Sequence, residues 1–179
     1  MEALVQDSLA TLHINPSAYH LILDWMDYGD VLNDHIRNNS VTQADRQIID
    51  SLNELLLNVH TQDDIITYRG VRTDRFSQMA IGDSFSASQF SSVSPHLQDA
   101  LNYGTVIMRI IIPRGTPAFY VSSWEIYANQ EDPTREKEIL LLPGDFIYQG
   151  SYDGFYNFVY TQSHQLILST WILYDFHIK

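Results

Sequence analysis

The segment Thr134-Arg135-Glu136-Lys137-Glu138-Ile139-Leu140-Leu141-Leu142-Pro143-Gly144 sets two carboxylates two residues apart where an apolar run begins. Alternate side chains of an extended strand share a face, so Glu136 and Glu138 point one way and Lys137 the other. Carboxylates this close repel and compete for the same counter-charge. Such a pair either solvates a sheet edge or acts on something held between its members. Two other clusters carry groups that would complete a site. Thr67-Tyr68-Arg69-Gly70 ends an apolar strand on an arginine, whose guanidinium fork grips phosphate or orients a carboxylate. Gly70 lets a ligand approach the backbone closely. Phe90-Ser91-Ser92-Val93-Ser94, preceded by Gly82-Asp83-Ser84-Phe85-Ser86, offers hydroxyls, one of which can hold a carboxylate by a hydrogen bond. Taken singly, these are also what a surface arginine, a half-buried serine strand and a charged edge look like.

Several chemistries are excluded. No Gly-x-Ser-x-Gly elbow is present, which argues against an α/β-hydrolase nucleophile. The seven histidines form no HExxH or comparable pattern, so no metal is expected. The absence of cysteine removes thiolate nucleophiles, disulfides and cysteine-bound zinc, and fits a reducing compartment. With 22 acidic against 10 basic side chains the net charge is -12, which opposes broad nucleic-acid binding and favours basic partners. The acidic amino end lacks the positive start and apolar core of a signal peptide. No run approaches the ~18 apolar residues of a membrane helix. No membrane partner is expected, and the site of action is expected to be cytoplasmic.

The elements that must position these groups fall into two halves. The first third reads as helix: from Ser17, the residues Tyr19, Leu21, Ile22, Leu23, Trp25, Met26, Val31, Leu32 and Ile36 form a helical stripe. Its aromatic and Met positions read as core. Asn38-Asn39-Ser40 is a break, and Thr42 is an N-cap with Asp45 three residues on. Ile48, Ile49, Leu52, Leu55, Leu56 and Val59 make a second stripe. After Gln62-Asp63-Asp64 the pattern turns to strands, at residues 65–71, 85–94, 105–113, 118–121, 138–142, 146–152, 157–161 and 166–176. Residues 95–103 read as a short helix and 122–135 as a loop. Helices followed by strands predict an α+β fold. At 179 residues the chain is expected to be one domain, helical over 1–62 and β-rich over 63–179.

The order arginine, then Ser-x-Ser, then Glu-x-Glu, each on a strand, resembles the arginine–serine–glutamate class of mono-ADP-ribosyltransferases. The match runs from residue 67 to 144 and includes the Gly-x-x-Phe lead-in at Gly82 and the Leu-rich strand closing on Pro143-Gly144. One departure is Val93, where the family often has Thr. Size and the helical first third look most like tailed-phage enzymes that modify host proteins; bacterial toxins and effectors are the other branch. The resemblance implies an ADP-ribosyltransferase core, mainly an antiparallel β-sandwich, with NAD as ADP-ribose donor. Glu138 would stabilise the oxocarbenium-like transition state and grip the ribose 2′-hydroxyl. Glu136 would face the acceptor, an arginine of a target protein. Tyr68, Arg69 and Gly70 would lie on the phosphate, ribose and nicotinamide side, and Ser92 would orient Glu138. The loop that begins at Trp124 would recognise the target, with Trp124 and Tyr127 as aromatic contacts. Arg72 and Arg75 read as solvated loop residues, and Phe85 and Tyr103 as packing. Three rivals stay open: an NAD glycohydrolase with water as acceptor, a non-catalytic protein-binding domain, and an acidic mimic of nucleic acid.

Overall fold

The computed structural model describes residues 1–130, 137–160 and 166–178, and the backbone alone for 153–160 and 166–171. Three helices come first: α1 (Glu2–Ile14), α2 (Pro16–Arg37) and α3 (Gln43–Leu57). A further helix, α1, thus precedes the stripe read from Ser17. Polar residues hide the α1 stripe, because its buried line is Leu4, Ser8 and Leu12 at four-residue spacing. Pro16 stands in the first turn of α2, where its missing N–H has no helical partner to lose.

The remaining elements are β1 (Ile65–Val71), β2 (Ser84–Ala87), β3 (Ser91–Val93), α4 (Leu97–Leu101), β4 (Val106–Ile112), β5 (Ala118–Tyr120), α5 (Ser123–Tyr127), β6 (Ile139–Leu141), β7 (Gly144–Tyr160) and β8 (Leu166–Ile178). They build a five-stranded sheet in the order β1-β4-β8-β7-β2 and a three-stranded sheet in the order β3-β6-β5. Pairing is antiparallel except between β4 and β8. On that parallel pair Arg109 meets Asp175 in register and donates two 2.7 Å hydrogen bonds to its carboxylate. The main core draws on the helices and on both sheets, with Ile22, Leu52, Ile110, Phe119, Leu140 and Phe176 fully enclosed. A small second cluster, Ala100, Ile107 and Leu173, seats α4 beside Tyr68.

Three expectations change. Residues 85–94 form two strands, β2 pairing with β7 and β3 with β6, in different sheets. Ala87 and Phe90 are both buried although three residues apart, a spacing one flat strand cannot hide on one face. The strands expected at 146–152 and 157–161 belong to one long β7 within the described residues, bulged between Tyr148 and Gly150 and again between Tyr152 and Phe155. Residues 123–127, expected as loop, form α5. So short a helix offers too little length for a periodic stripe to show.

The expected cap of α3 is a full capping box. Thr42 Oγ1 accepts from Asp45 N, while Asp45 Oδ2 accepts from Thr42 N at 2.7 Å. Asp45 also ties α3 to α2, accepting from Tyr28 OH at 3.1 Å and lying 3.0 Å from His35 Nδ1. The Thr42 backbone and hydroxyl donors lower its pKa from 3.8 to about 2, burial opposes them, and His35 and Tyr28 add to the lowering. A carboxylate depressed on folding contributes stability that is present above pH 3.8 and lost as pH falls through about 2. We expect Asp45→Ala to lower Tm by roughly 2–4 °C at neutral pH. The difference from wild type should close as the pH is brought from 4 to 2, which thermal melts across that range would check.

Candidate active site

The strand register brings the three sequence clusters together. β3 and β6 pair with Ser92 opposite Leu140 and Val93 opposite Ile139, so Ser92 and Glu138 become diagonal neighbours on one face. Ser92 Oγ donates to Glu138 Oε1 at 2.6 Å, the length of a hydroxyl–carboxylate bond. The Glu138 backbone is held from the other side: Val121 N donates to its carbonyl at 2.9 Å, and its own N–H donates to Ser122 Oγ at 3.1 Å. β1 reaches this sheet through one bridge, in which Tyr68 N donates to Ser94 O at 2.7 Å and Ser94 N returns to Tyr68 O at 2.8 Å. Arg69 follows at once and donates from Nη1 to Ser92 O at 3.2 Å.

These groups line a cleft of about 320 Å³. Tyr68, Arg69, Gly70, Ser92 and Glu138 all face it, and α2 supplies a further wall with Trp25, Gly29 and Asn33. Gly70 has no alternative here. A Cβ on it would stand 2.0 Å from the Ala100 carbonyl oxygen, because α4 runs directly over the strand. Burial, and then the charge of Arg37, lower the Arg69 pKa from its ordinary value; Arg75 adds to the lowering, while Glu138 and Asp30 oppose it. The guanidinium remains a cation. It is an incompletely solvated cation facing an open cleft, which favours an anionic ligand.

A second polar group lies beside these residues at the edge of the cleft. Lys137 Nζ donates to the enclosed Glu125 at 2.9 Å, and Lys137 N donates to Asp99 Oδ2 at 3.0 Å. Ser94 Oγ donates to the same Asp99 oxygen at 2.6 Å. The alternation read from the sequence thus has a structural use: Glu138 turns into the cleft while its neighbour ties α5 down.

A scan against protein families matches the ADP-ribosyltransferase exoenzyme model over residues 21–147, more than half of the chain. The chain belongs to that family. No curated protein matches it by sequence. Among solved structures, C3stau2 from S. aureus with NAD aligns with a TM-score of 0.70 at 12% identity, covering 92% of this chain and 87% of that one. Plx2a, an ADP-ribosyltransferase toxin from Paenibacillus larvae, gives 0.67 at 14%, over 92% and 87%. The enzymatic component C2-I of the C2-toxin from Clostridium botulinum gives 0.69 at 16%; this chain spans 89% of its own length but 44% of that one. At these identities the likeness is one of fold, and the fold is the α+β architecture of ADP-ribosyltransferase toxins.

Not every expected site residue sits in the transferase's cleft. Trp124 is 7% exposed and packs into the main core, and Tyr127 is half-buried against Tyr19 and His13. Their one-and-a-half-turn helix turns both rings inward, because α1 packs across α5. Glu136 and residues 131–135 of the expected recognition loop lie outside the described residues. Tyr103, expected as packing, is 54% exposed and lines the cleft. The correction follows from the turn after α4, where Gly104 passes so close to Val71 that a Cβ would meet its carbonyl at 2.2 Å. Phe85 packs edge-on to Phe76, and Arg75 lies over its ring. Trp25 was legible as core and is 5% exposed, yet its Nε1 also donates to Glu138 Oε1 at 3.0 Å. Nothing in a helical stripe announces a partner 113 residues away. Among the described residues no group of three or more His, Asp or Glu side chains is placed to hold a metal ion, and no helix is long and apolar enough to cross a membrane.

The Gly70 contact can be measured. Gly70→Ala forces β1 and α4 apart, and we expect it to cost about 2 kcal/mol or more in chemical denaturation. It should also speed hydrogen exchange at the α4 amides. Retention of wild-type stability would contradict the close approach.

Proposed function

We propose that this transferase moves ADP-ribose from NAD to an arginine side chain of a target protein and releases nicotinamide. The observation that carries the reading is the 2.6 Å hydrogen bond from Ser92 to Glu138 inside a cleft that Arg69 also lines. It joins the three signature groups of the sequence in one space of a size suited to a bound nucleotide.

Nicotinamide in NAD is already cationic, so its glycosidic bond can break without a proton donor. The bonding pair leaves with the ring, and positive charge develops on the ribose carbon and ring oxygen. Glu138, fixed by Ser92, supplies the negative charge that steadies this oxocarbenium character and accepts a hydrogen bond from the 2′-hydroxyl. Arg69 neutralises phosphate charge, with Tyr68 and Gly70 beside it on the same wall.

The acceptor step has a separate difficulty. An arginine guanidinium is protonated at neutral pH and is a poor nucleophile. Glu136, two positions before Glu138, binds that cation and takes its proton as the guanidinium nitrogen forms the new bond to the ribose carbon. The two carboxylates therefore serve different reaction partners. Lys137 and α5 hold the start of β6, and the segment between them recognises the target protein.

The test is incubation with labelled NAD and a bacterial lysate. Wild type should transfer label to protein in a bond with the stability of an arginine adduct, and Glu138→Ala should abolish both transfer and nicotinamide release. Glu136→Gln should keep nicotinamide release and lose arginine labelling. Loss of both activities in a folded Glu136→Gln protein, or labelling of another residue type by wild type, would overturn the division of labour. Release of nicotinamide with no protein labelled would favour water as acceptor. Ser92→Ala should lower the rate of nicotinamide release roughly 10- to 100-fold, the value of a hydrogen bond to a charged group.

A further inference from the structure

We infer that Trp25 of α2 is a positioning residue for Glu138, acting with Ser92 to hold Oε1 and leave Oε2 to the substrate. This rests on Glu138 carrying the reaction as proposed above. Two donors converge on the same oxygen, the Ser92 hydroxyl at 2.6 Å and the Trp25 indole N–H at 3.0 Å. Among the described residues no donor falls on Oε2. A carboxylate gripped at one oxygen from two directions cannot rotate about its terminal bond without losing both contacts. Its second oxygen is thereby aimed, and the aim is set before any ligand arrives.

The indole is itself held. Its edge-to-face partner is Phe90, with ring centroids 5.7 Å apart and planes at 69°. On its own helix it lies against Gly29, one turn on, where an added Cβ would come within 2.9 Å of the ring. An alanine there would push the indole off its seat. A tryptophan needed only for packing could give its N–H to any nearby carbonyl. Here the donor goes to the carboxylate that serves NAD. The first, helical part of the chain therefore contributes directly to the catalytic geometry.

The charged groups that share the cleft with Glu138 are Arg69 of β1, Asp30 of α2, Asp99 of α4 and Lys137 beside it, with Tyr68 and Tyr103 on the same walls. A change at Trp25 alters none of them.

The experiment measures nicotinamide release from NAD by wild type, Trp25→Phe and Gly29→Ala, with kcat and KM separated. Trp25→Phe keeps the ring and deletes the N–H. We expect kcat to fall about 10-fold with KM for NAD within about two-fold. Gly29→Ala keeps the N–H but displaces it and should lower kcat in the same way, again with KM little changed. It decides the matter should Trp25→Phe not fold. An unchanged kcat in the folded variants overturns the inference, since a packing role would change stability and not the turnover of the folded enzyme. Absence of any nicotinamide release from wild type would instead sink the underlying reading.

Discussion

Two backbone hydrogen bonds between Tyr68 and Ser94, 2.7 and 2.8 Å long, are where the five-stranded and three-stranded sheets meet. The positions of the cleft residues follow from that meeting. Once Tyr68 is beside Ser94, the next residue of β1 is Arg69, and its guanidinium reaches the Ser92 carbonyl. Once Ser92 is opposite Leu140, Glu138 lies two positions further along the same face. Side chains from β1, from β3 and from the residue just before β6 thus arrive together. Register in a sheet is unforgiving, because a slip of one residue would turn each of them to the other side.

Charge in the cleft is arranged by burial as much as by number. A chain with net charge -12 is poor ground for binding an anionic nucleotide at its general surface. The structure places one incompletely solvated guanidinium, Arg69, on the cleft wall, with the cations Arg37 and Arg75 near enough to act on it. Local field outweighs net charge there, since nearby charges with little water between them interact more strongly than distant solvated ones.

How much of this was legible in the sequence depends on the range of each interaction. β1 was readable to its ends, because Ile65 to Val71 is a β-branched and aromatic run bounded by polar residues. The cap at Thr42 was readable because capping is a local rule spanning three positions. The arginine and serine were readable because each sits on a strand, and the glutamate because it stands one residue before β6, expected to start at 138, and still follows its alternation. What escaped depends on contacts distant in sequence. The inward turn of Trp124 depends on α1 crossing α5, and the exposure of Tyr103 depends on Gly104 slipping under Val71. The Trp25 donor is the extreme case, an indole whose partner lies beyond three helices and most of both sheets.

One modest contact has a wider bearing. β5 is the border strand of its sheet, and the Tyr120 amide that would otherwise face outward is taken up by the buried Ser8 hydroxyl of α1 at 3.0 Å. A border strand with unclaimed amides is an invitation to another chain. The first helix therefore works as a stopper on the sheet margin. A shortened version beginning after Asn15 would leave the Tyr120 amide open to another chain and strip Leu4 and Leu12 from the core, and its failure would be seen as self-association.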